Sequence, residues 1–152
     1  MQLSVLAVGK LRPAYREAAD EYLRRLVRYL RADEREVKEA GKAGSDLEAR
    51  RQEATRLLEK LPVGAYLVAL DRTGQAWSSE QLADRLGRWE RLARPVAVVI
   101  GGSTGLDAAI LDRVDERWSL GPLTLPHELA RVVALEQLYR ACTIRRGEKY
   151  HK

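Results

Sequence analysis

The chain alternates between short apolar runs and longer segments whose apolar residues recur every three to four positions. Mostly apolar segments at Gln2–Val8 and 65–70 and a continuous apolar run at Val96–Ile100 predict buried strands, and the third has the composition of a central strand covered on both faces. Weaker or shorter strands are expected over 35–40, 118–120 and 123–125. Strand and helix patterns alternate five times, which predicts an α/β fold with a parallel sheet and helices on both faces.

Amphipathic spacing and capping residues predict the helices. They are expected over 13–30, from 45 to before Pro62, from 78 onward, over 107–116, and from Pro126 onward. Pro13 and Pro126 suit the first turn of a helix, where proline's missing amide hydrogen would be unpaired anyway. Ser45 and Ser78 each precede a Glu or Gln three residues later, which is the spacing of a capping box. A loop over 41–44 is expected to join the second strand to the second helix.

Composition places the chain among soluble globular proteins. Its 152 residues are 45% hydrophobic and 32% charged, which indicates a single domain over 1–152. No apolar run approaches the roughly 18 residues of a membrane-spanning helix, and no basic stretch precedes the first apolar run as in a signal peptide. The single cysteine, Cys142, is better interpreted as a packed helical residue than as a reactive thiol. We therefore expect a cytoplasmic protein without membrane contact.

Positive charge is concentrated at the C-terminal end of the chain. The net charge is +5, and the last thirteen residues contribute +4 of it. Their cations are Arg140, Arg145, Arg146, Lys149 and Lys152, against the single acid Glu148. Such a segment favours RNA or DNA as a partner, and the first four cations are then candidate RNA-binding residues. It equally suits a solubilising helix end, where cations interact favourably with the helix dipole, and charge alone does not decide.

A glycine-rich loop follows the strand Val96–Ile100. Its sequence is Gly101-Gly102-Ser103-Thr104-Gly105-Leu106. No Lys-Ser or Lys-Thr follows as in a phosphate-binding P-loop, and the glycine spacing differs from the dinucleotide-binding fingerprint. The loop is therefore either a tight turn that needs positive φ or a place where a ligand approaches bare backbone at a strand end.

A second small-residue segment strengthens the ligand interpretation. It comprises Leu120, Gly121, Pro122, Leu123, Thr124 and Leu125, and it leads into the final helix. At the end of the last strand, its backbone groups would lie beside the glycine loop, and its leucine and proline side chains would supply apolar walls. Such a slot suits a purine held by main-chain hydrogen bonds.

Catalytic candidates are few. His127 begins the final helix and Glu136 lies within it, while Tyr150, His151 and Lys152 end the chain. His127 is either a substrate contact or a helix-terminal hydrogen-bonding residue, and Glu136 is either a base or a solvated helical acid. The terminal aromatic, imidazole and cation suit stacking on a base and gripping phosphate, although a frayed tail is the alternative. Two histidines and one cysteine without ligand spacing indicate no metal site.

Several stretches together form a specific pattern. They are Ile100-Gly101-Gly102-Ser103-Thr104-Gly105-Leu106, Ser119-Leu120 with Leu123-Thr124-Leu125-Pro126-His127, Arg131-Val132-Val133 with Glu136-Gln137-Leu138-Tyr139-Arg140-Ala141, the ending Tyr150-His151-Lys152, and the opening Val5-Leu6-Ala7-Val8-Gly9-Lys10-Leu11. This pattern closely resembles the SPOUT-class ribosomal RNA large-subunit methyltransferase H family, and the match covers nearly the whole chain.

The resemblance carries expectations that the pattern of residues alone does not. It implies a trefoil knot near the C-terminus and S-adenosylmethionine bound at Leu70, Gly101 and the segment 120–125. It implies methylation of N3 of a pseudouridine, position 1915 of 23S ribosomal RNA, by a homodimer in which one subunit's basic tail completes the partner's site. His151, His127 and Glu136 are then base candidates, with Tyr150 and Lys152 as positioning groups. A SPOUT-type tRNA methyltransferase and a non-enzymatic ribosome-binding factor are the alternatives.

Overall fold

The structure, a computed structural model, describes residues 1–41 and 44–152. In the described chain, parallel strands form one sheet in the order β2-β1-β4-β3-β5. The strands are β1 (Gln2–Val8), β2 (Arg31–Val37), β3 (Tyr66–Ala76), β4 (Val96–Ile100) and β5 (Glu116–Ser119). The helices are α1 (Pro13–Leu26), α2 (Asp46–Glu59), α3 (Ser79–Arg91), α4 (Ala108–Leu111) and α5 (His127–Arg145). The predicted α/β architecture is confirmed.

Two apolar cores lie on opposite faces of the sheet. Side chains of α1, α3 and α5 pack over one face, against alternate residues of the central strands. Side chains of α2 and α4 cover the other face. The central strand β4 is buried along its whole length, as its continuous apolar run predicts. The predicted placement of helices on both faces is therefore confirmed, while the trefoil knot stays a prediction.

The first helix is shorter than its sequence pattern predicts. Helical spacing suggests a helix to about Leu30, but α1 ends at Leu26 and a turn follows. The reason is tertiary, since the Arg31 amide donates to the Met1 carbonyl at 3.1 Å and begins β2 there. The strand predicted over 35–40 therefore begins four residues earlier in the structure, at Arg31. The sequence of β2 lacks the apolar pattern of a strand, because its alternating acids Glu34 and Glu36 pair with arginines of neighbouring helices.

The segment between Leu70 and Ser119 also departs from expectation. Strand β3 continues beyond the apolar run 65–70 to Ala76, and its pairing with β5 is irregular between Leu70 and Gln75. There a Cβ on Gly74 would lie 2.5 Å from the Arg117 backbone, so only glycine fits. The predicted helix over 107–116 is only the four residues of α4, because the Asp115 amide already donates to the Leu67 carbonyl of β3 and Glu116 begins the edge strand β5. No strand forms over 123–125.

Local signals were more reliable at the helix starts. The side chains of Ser45 and Ser78 accept the predicted backbone hydrogen bonds, and Ser78 forms a full capping box with Gln81. Pro126 occupies the N-cap of α5 rather than its first turn. Lys42 and Ala43, in the predicted loop over 41–44, lie outside the described residues.

Cys142 is the packed helical residue that the sequence favours. Its side chain is buried within α5, and burial raises the pKa of its thiol to about 11. None of the helices described is long and apolar enough to cross a membrane.

A buried arginine connects α5 to the carboxyl end of β1 and to β2. Arg131 is 1% exposed, and it donates to the Val8 and Gly9 carbonyl oxygens at 3.3 and 2.9 Å. Its other terminal nitrogen donates to Glu34 Oε2 at 2.9 Å and to Glu36. These contacts hold the first turns of α5 against the edge of the sheet from which the predicted cofactor loops emerge.

Replacing Arg131 with alanine should cost about 3–5 kcal/mol of unfolding free energy, because it leaves the acids of β2 and two strand-end carbonyls without their buried partner. Urea denaturation measures this loss. Arg24→Ala is the matched control: Arg24 pairs with Glu21, but its side chain is 66% exposed, so the expected change is below about 1 kcal/mol. Equal losses of unfolding free energy in the two variants would contradict a stabilising role for the buried Arg131.

Candidate functional site

Three strands bring the predicted cofactor loops to one edge of the sheet. Leu70 of β3 is registered with Ile100 on one side and with Trp118 on the other. Gly101 directly follows β4, and Leu120 directly follows β5. The structure therefore places Leu70, Gly101 and Leu120 at the same carboxyl edge, which is where open parallel sheets bind ligands.

The glycine loop, residues 101–106, is a tight turn closed on itself. The Gly105 amide donates to the Gly102 carbonyl at 3.0 Å, and Gly105 has φ +84°. A Cβ on Gly101 would lie 2.6 Å from the Gly105 carbonyl carbon, so Gly101 is required by the loop itself. Above Gly105, by contrast, a Cβ would meet nothing within 4 Å. The turn and ligand interpretations are therefore compatible.

The leucine loop, residues 120–125, is open towards solvent. The Ser119 hydroxyl accepts from the Gly121 amide at 3.1 Å, and Gly121 has φ +112° with open space at its Cβ position. Pro122 and Thr124 are exposed, and Leu123 is 77% exposed. An exposed leucine beside bare backbone is the arrangement expected of an apolar slot that a ligand or another chain covers.

The start of α5 is anchored beside this edge. Glu128 accepts from the backbone amide and from Nε of Arg12, both at 2.8 Å. The backbone hydrogen bond is the main reason why the pKa of Glu128 lies below its usual value. His127, which begins the helix, is half-buried next to this pair.

The chain end folds back onto α5 and α3. Arg140 Nε donates to Glu136 Oε1 at 2.8 Å, and Arg140 also lies 3.1 Å from His151 Nδ1. His151 Nε2 lies 2.6 Å from Glu80 Oε1, and this hydrogen bond lowers the pKa of Glu80. Since arginine can only donate, Nδ1 is the acceptor and Nε2 carries the proton given to Glu80. In this position, the basic nitrogen of His151 is already engaged.

Tyr150 is packed rather than frayed. Its ring lies edge-on to Tyr139 with centroids 4.6 Å apart, and the Arg140 guanidinium lies 4.7 Å from its centroid. Burial raises the pKa of the Tyr150 hydroxyl. Lys149 and Lys152 are exposed. The structure thus gathers Glu136, Tyr150 and His151 around Arg140.

Two of the candidate RNA-binding residues lie elsewhere. Arg145 pairs with Glu90 at 2.7 Å, and the Arg146 guanidinium lies 5.0 Å from the Tyr29 ring centroid. Because α5 has 19 residues, its last turn is about 27 Å from His127. The candidate cations therefore lie towards the C-terminal end of α5, where Arg140 contacts the folded-back tail and Arg145 and Arg146 contact α3 and Tyr29.

Sequence reasoning missed Glu80 and Glu53 as residues of this region. Glu80 lies in the first turn of α3 and resembles an ordinary helix-start acid, so only the return of the tail reveals its contact with His151. Glu53 resembles a solvated acid of α2 but is 5% exposed and lies next to the glycine loop. Among the described residues, no group of three or more His, Cys, Asp or Glu side chains could hold a metal ion.

Comparison with known proteins matches the whole chain. A family model described as "Predicted SPOUT methyltransferase" matches residues 1–151. A protein of Rubrobacter xylanophilus named ribosomal RNA large subunit methyltransferase H is 54% identical, over 97% of this chain and 96% of its own. A protein of the same name from Anaeromyxobacter sp. (strain Fw109-5) is 49% identical over the full length of both.

Solved structures show the same fold at low sequence identity. A putative RNA methyltransferase from Bacillus anthracis superposes with a TM-score of 0.57 at 10% identity, covering 99% of both chains. A putative methyltransferase from Legionella pneumophila, solved with bound SAM, gives a TM-score of 0.51 at 14% identity, covering 93% of this chain and 66% of that one.

Gly101→Ala should lower the unfolding free energy by about 1–3 kcal/mol, because its Cβ meets backbone of the same loop rather than empty space. Urea denaturation measures the loss. Gly41→Ala is the control, since a Cβ there meets nothing within 4 Å and the expected change is below about 0.5 kcal/mol. A fully stable Gly101→Ala protein would contradict this account of the loop.

Proposed function

The chain belongs to the SPOUT methyltransferase family, and from this membership we propose that it methylates N3 of pseudouridine 1915 in 23S ribosomal RNA, using S-adenosylmethionine. The observation that carries the proposal is the full-length similarity to proteins named ribosomal RNA large subunit methyltransferase H. The finer target, one nitrogen of one nucleotide, rests on the resemblance of the chain's motifs to that family.

The residues at the carboxyl edge fit this cofactor. Gly105 and Gly121 leave open space above their backbone, and the leucine loop supplies apolar surface beside it. In the proposal, Leu70, Gly101 and the loop 120–125 hold the cofactor, and main-chain groups contact its adenine. When bound, the cofactor supplies an electrophilic methyl group on a sulfonium.

The protein's part in the reaction is alignment and proton removal. Pseudouridine N3 carries a proton at neutral pH, and this proton must leave as the nitrogen forms its bond to carbon. His127, Glu136 and His151 are the base candidates, with Tyr150 and Lys152 orienting the nucleobase and its phosphate. Arg140 engages both Glu136 and His151, so a base role for His151 requires that it leave Arg140.

The proposal includes a homodimer whose tails are exchanged. The exposed Leu123 offers apolar surface for a second chain to cover, and in the proposal the tail leaves Arg140 and enters the partner's slot. The proposal also includes a cytoplasmic location, because the proposed substrate is ribosomal RNA. The candidate RNA-binding residues are Arg140, Arg145, Arg146 and Lys149.

Nucleoside mass analysis of ribosomal RNA from cells lacking this protein should show loss of one methylated pseudouridine, restored by the wild-type gene. Transfer RNA from the same cells serves as the control. Loss of a tRNA methyl group instead would favour a SPOUT-type tRNA methyltransferase. Unchanged methylation in both RNAs would favour a non-enzymatic ribosome-binding factor.

Deleting residues 150–152 should abolish ribosome methylation while costing about 1–3 kcal/mol of stability, because the lost contacts are one aromatic pair, one cation–π contact and the two partly exposed hydrogen bonds of His151. Methyl incorporation and urea denaturation measure the two effects. Normal methylation by the truncated protein would mean that the tail only packs against its own chain.

Two further variants separate the roles of the cations and the subunits. Neutralising Arg145 and Arg146 should weaken RNA binding and flatten its salt dependence, with less effect on the methylation rate at saturating substrate.

Mixing truncated subunits with subunits carrying Gly121→Val in the leucine loop should restore activity in heterodimers if tails are exchanged. Verified heterodimers without activity would contradict the exchange.

A further inference from the structure

Glu53 is a buried acid with half of its hydrogen-bonding capacity unused. It is 5% exposed, and its Oε2 accepts from the Ala40 amide at 3.1 Å. Its Oε1 is buried and has no hydrogen-bond partner among the described residues. A buried acceptor without a partner costs about 1–3 kcal/mol, so each such atom in a folded protein requires an explanation.

The unused oxygen lies against the glycine loop. A Cβ built on Gly102 would lie 3.7 Å from Glu53 Oε1 and 3.1 Å from Val8 Cγ1. Glu53 thus reaches, from α2, the place where β1 and β4 both end. The strands β1 and β4 are neighbours, but the chain continues from β1 towards the β2 edge of the sheet and from β4 towards the β5 edge. Such a reversal of direction is a topological switch point, where parallel sheets bind ligands.

The neighbouring cation on α2 is directed at a different atom. Arg50 lies 3.4 Å from the Thr104 carbonyl oxygen of the same loop. The glycine loop is therefore held by Arg50 at one position and faces a free carboxyl oxygen at another. Glu53 Oε1 is therefore left with unused capacity to accept a hydrogen bond beside the glycine loop.

We propose that Glu53 Oε1 accepts a hydrogen bond from a ribose hydroxyl of the S-adenosylmethionine bound at the glycine loop. This inference rests on the proposed function. The ribose is favoured because it is joined directly to the adenine, which the backbone-walled slot beside Gly101 suits. The cofactor's ammonium group is disfavoured, since it brings a carboxylate towards an acidic side chain. Acidic side chains accept ribose hydroxyls in the same way at other strand ends.

Calorimetric titration with S-adenosylhomocysteine tests the proposal without requiring turnover. Glu53→Gln should weaken binding about tenfold, which corresponds to about 1.4 kcal/mol. In the wild-type protein, either the 2′-deoxy or the 3′-deoxy analogue should bind about tenfold more weakly than the parent compound. In Glu53→Gln, that discrimination should fall to about twofold or less. Glu59→Gln, an exposed acid on the same helix, is the matched control and should bind all three compounds as wild type does.

The outcomes separate this inference from the proposed function. Failure of the wild-type protein to bind S-adenosylhomocysteine would contradict the proposed function itself. Tight wild-type binding with unchanged affinity in Glu53→Gln would overturn only the role of Glu53. Equal weakening for the parent and both deoxy compounds would show that Glu53 supports the loop and does not contact the ribose. If Glu53→Gln does not fold, a wild-type protein that binds the parent and both deoxy compounds equally would still overturn the proposal, because such a protein has no ribose acceptor.

Discussion

The buried guanidinium of Arg131 is the contact on which the geometry of the candidate site depends. It is the shared donor for two carbonyls at the end of β1 and for two acids of β2, and it belongs to the first turns of α5. Arg16 of α1 shares the same two acids, with Glu34 Oε1 at 2.6 Å, so two helices and two strands meet in one charged cluster. Hydrogen bonds to charged groups in a mostly buried cluster are strongly directional. The start of α5, and therefore the exit of the leucine loop that precedes it, is held against the edge where β1 and β4 end.

Features that depend on local signals could be predicted from the sequence. The bounds of β4 follow from a continuous apolar run and those of β1 from a mostly apolar one, and the starts of α2 and α3 follow from serine caps. The meeting of Gly101 and Leu120 was also predictable, because parallel strands place their carboxyl ends at one edge, whereas Leu70 was named through the family resemblance. By contrast, the early end of α1 is set by the pairing of Arg31 with Met1, and the shortness of α4 by the recruitment of Glu116–Ser119 as an edge strand. Both are long-range effects that no local pattern contains.

The dependence on long-range contacts also explains why the contacts of the tail and of Glu53 could not be predicted from the sequence. A basic, aromatic chain end has the composition of a frayed segment. It packs on α5 because the Tyr150 ring contacts the Tyr139 ring and the Arg140 guanidinium. Glu53 has the composition of a solvated helical acid. Its burial follows only from the position of α2 over the ends of β1 and β4, where neighbouring residues Ala54 and Leu57 pack into the core. In both cases, the residue type indicates the chemistry of the side chain, but only the fold determines which group the side chain contacts.

Arg140 constrains any mechanism that uses the tail. It binds Glu136 through Nε, lies against Nδ1 of His151, and stacks over Tyr150, so three residues with candidate roles share one cation. A histidine whose Nδ1 accepts from arginine and whose Nε2 donates to Glu80 has no free lone pair to take a proton. In the folded-back tail, both ring nitrogens of His151 are therefore engaged in hydrogen bonds. For His151 to act as a base, the tail must exchange its contacts with Arg140 and Glu80 for contacts with substrate, and these are partly exposed hydrogen bonds that a polyanionic RNA can replace. Glu136 differs because it lies on the helix itself, and it would remain paired with Arg140 after the tail has left.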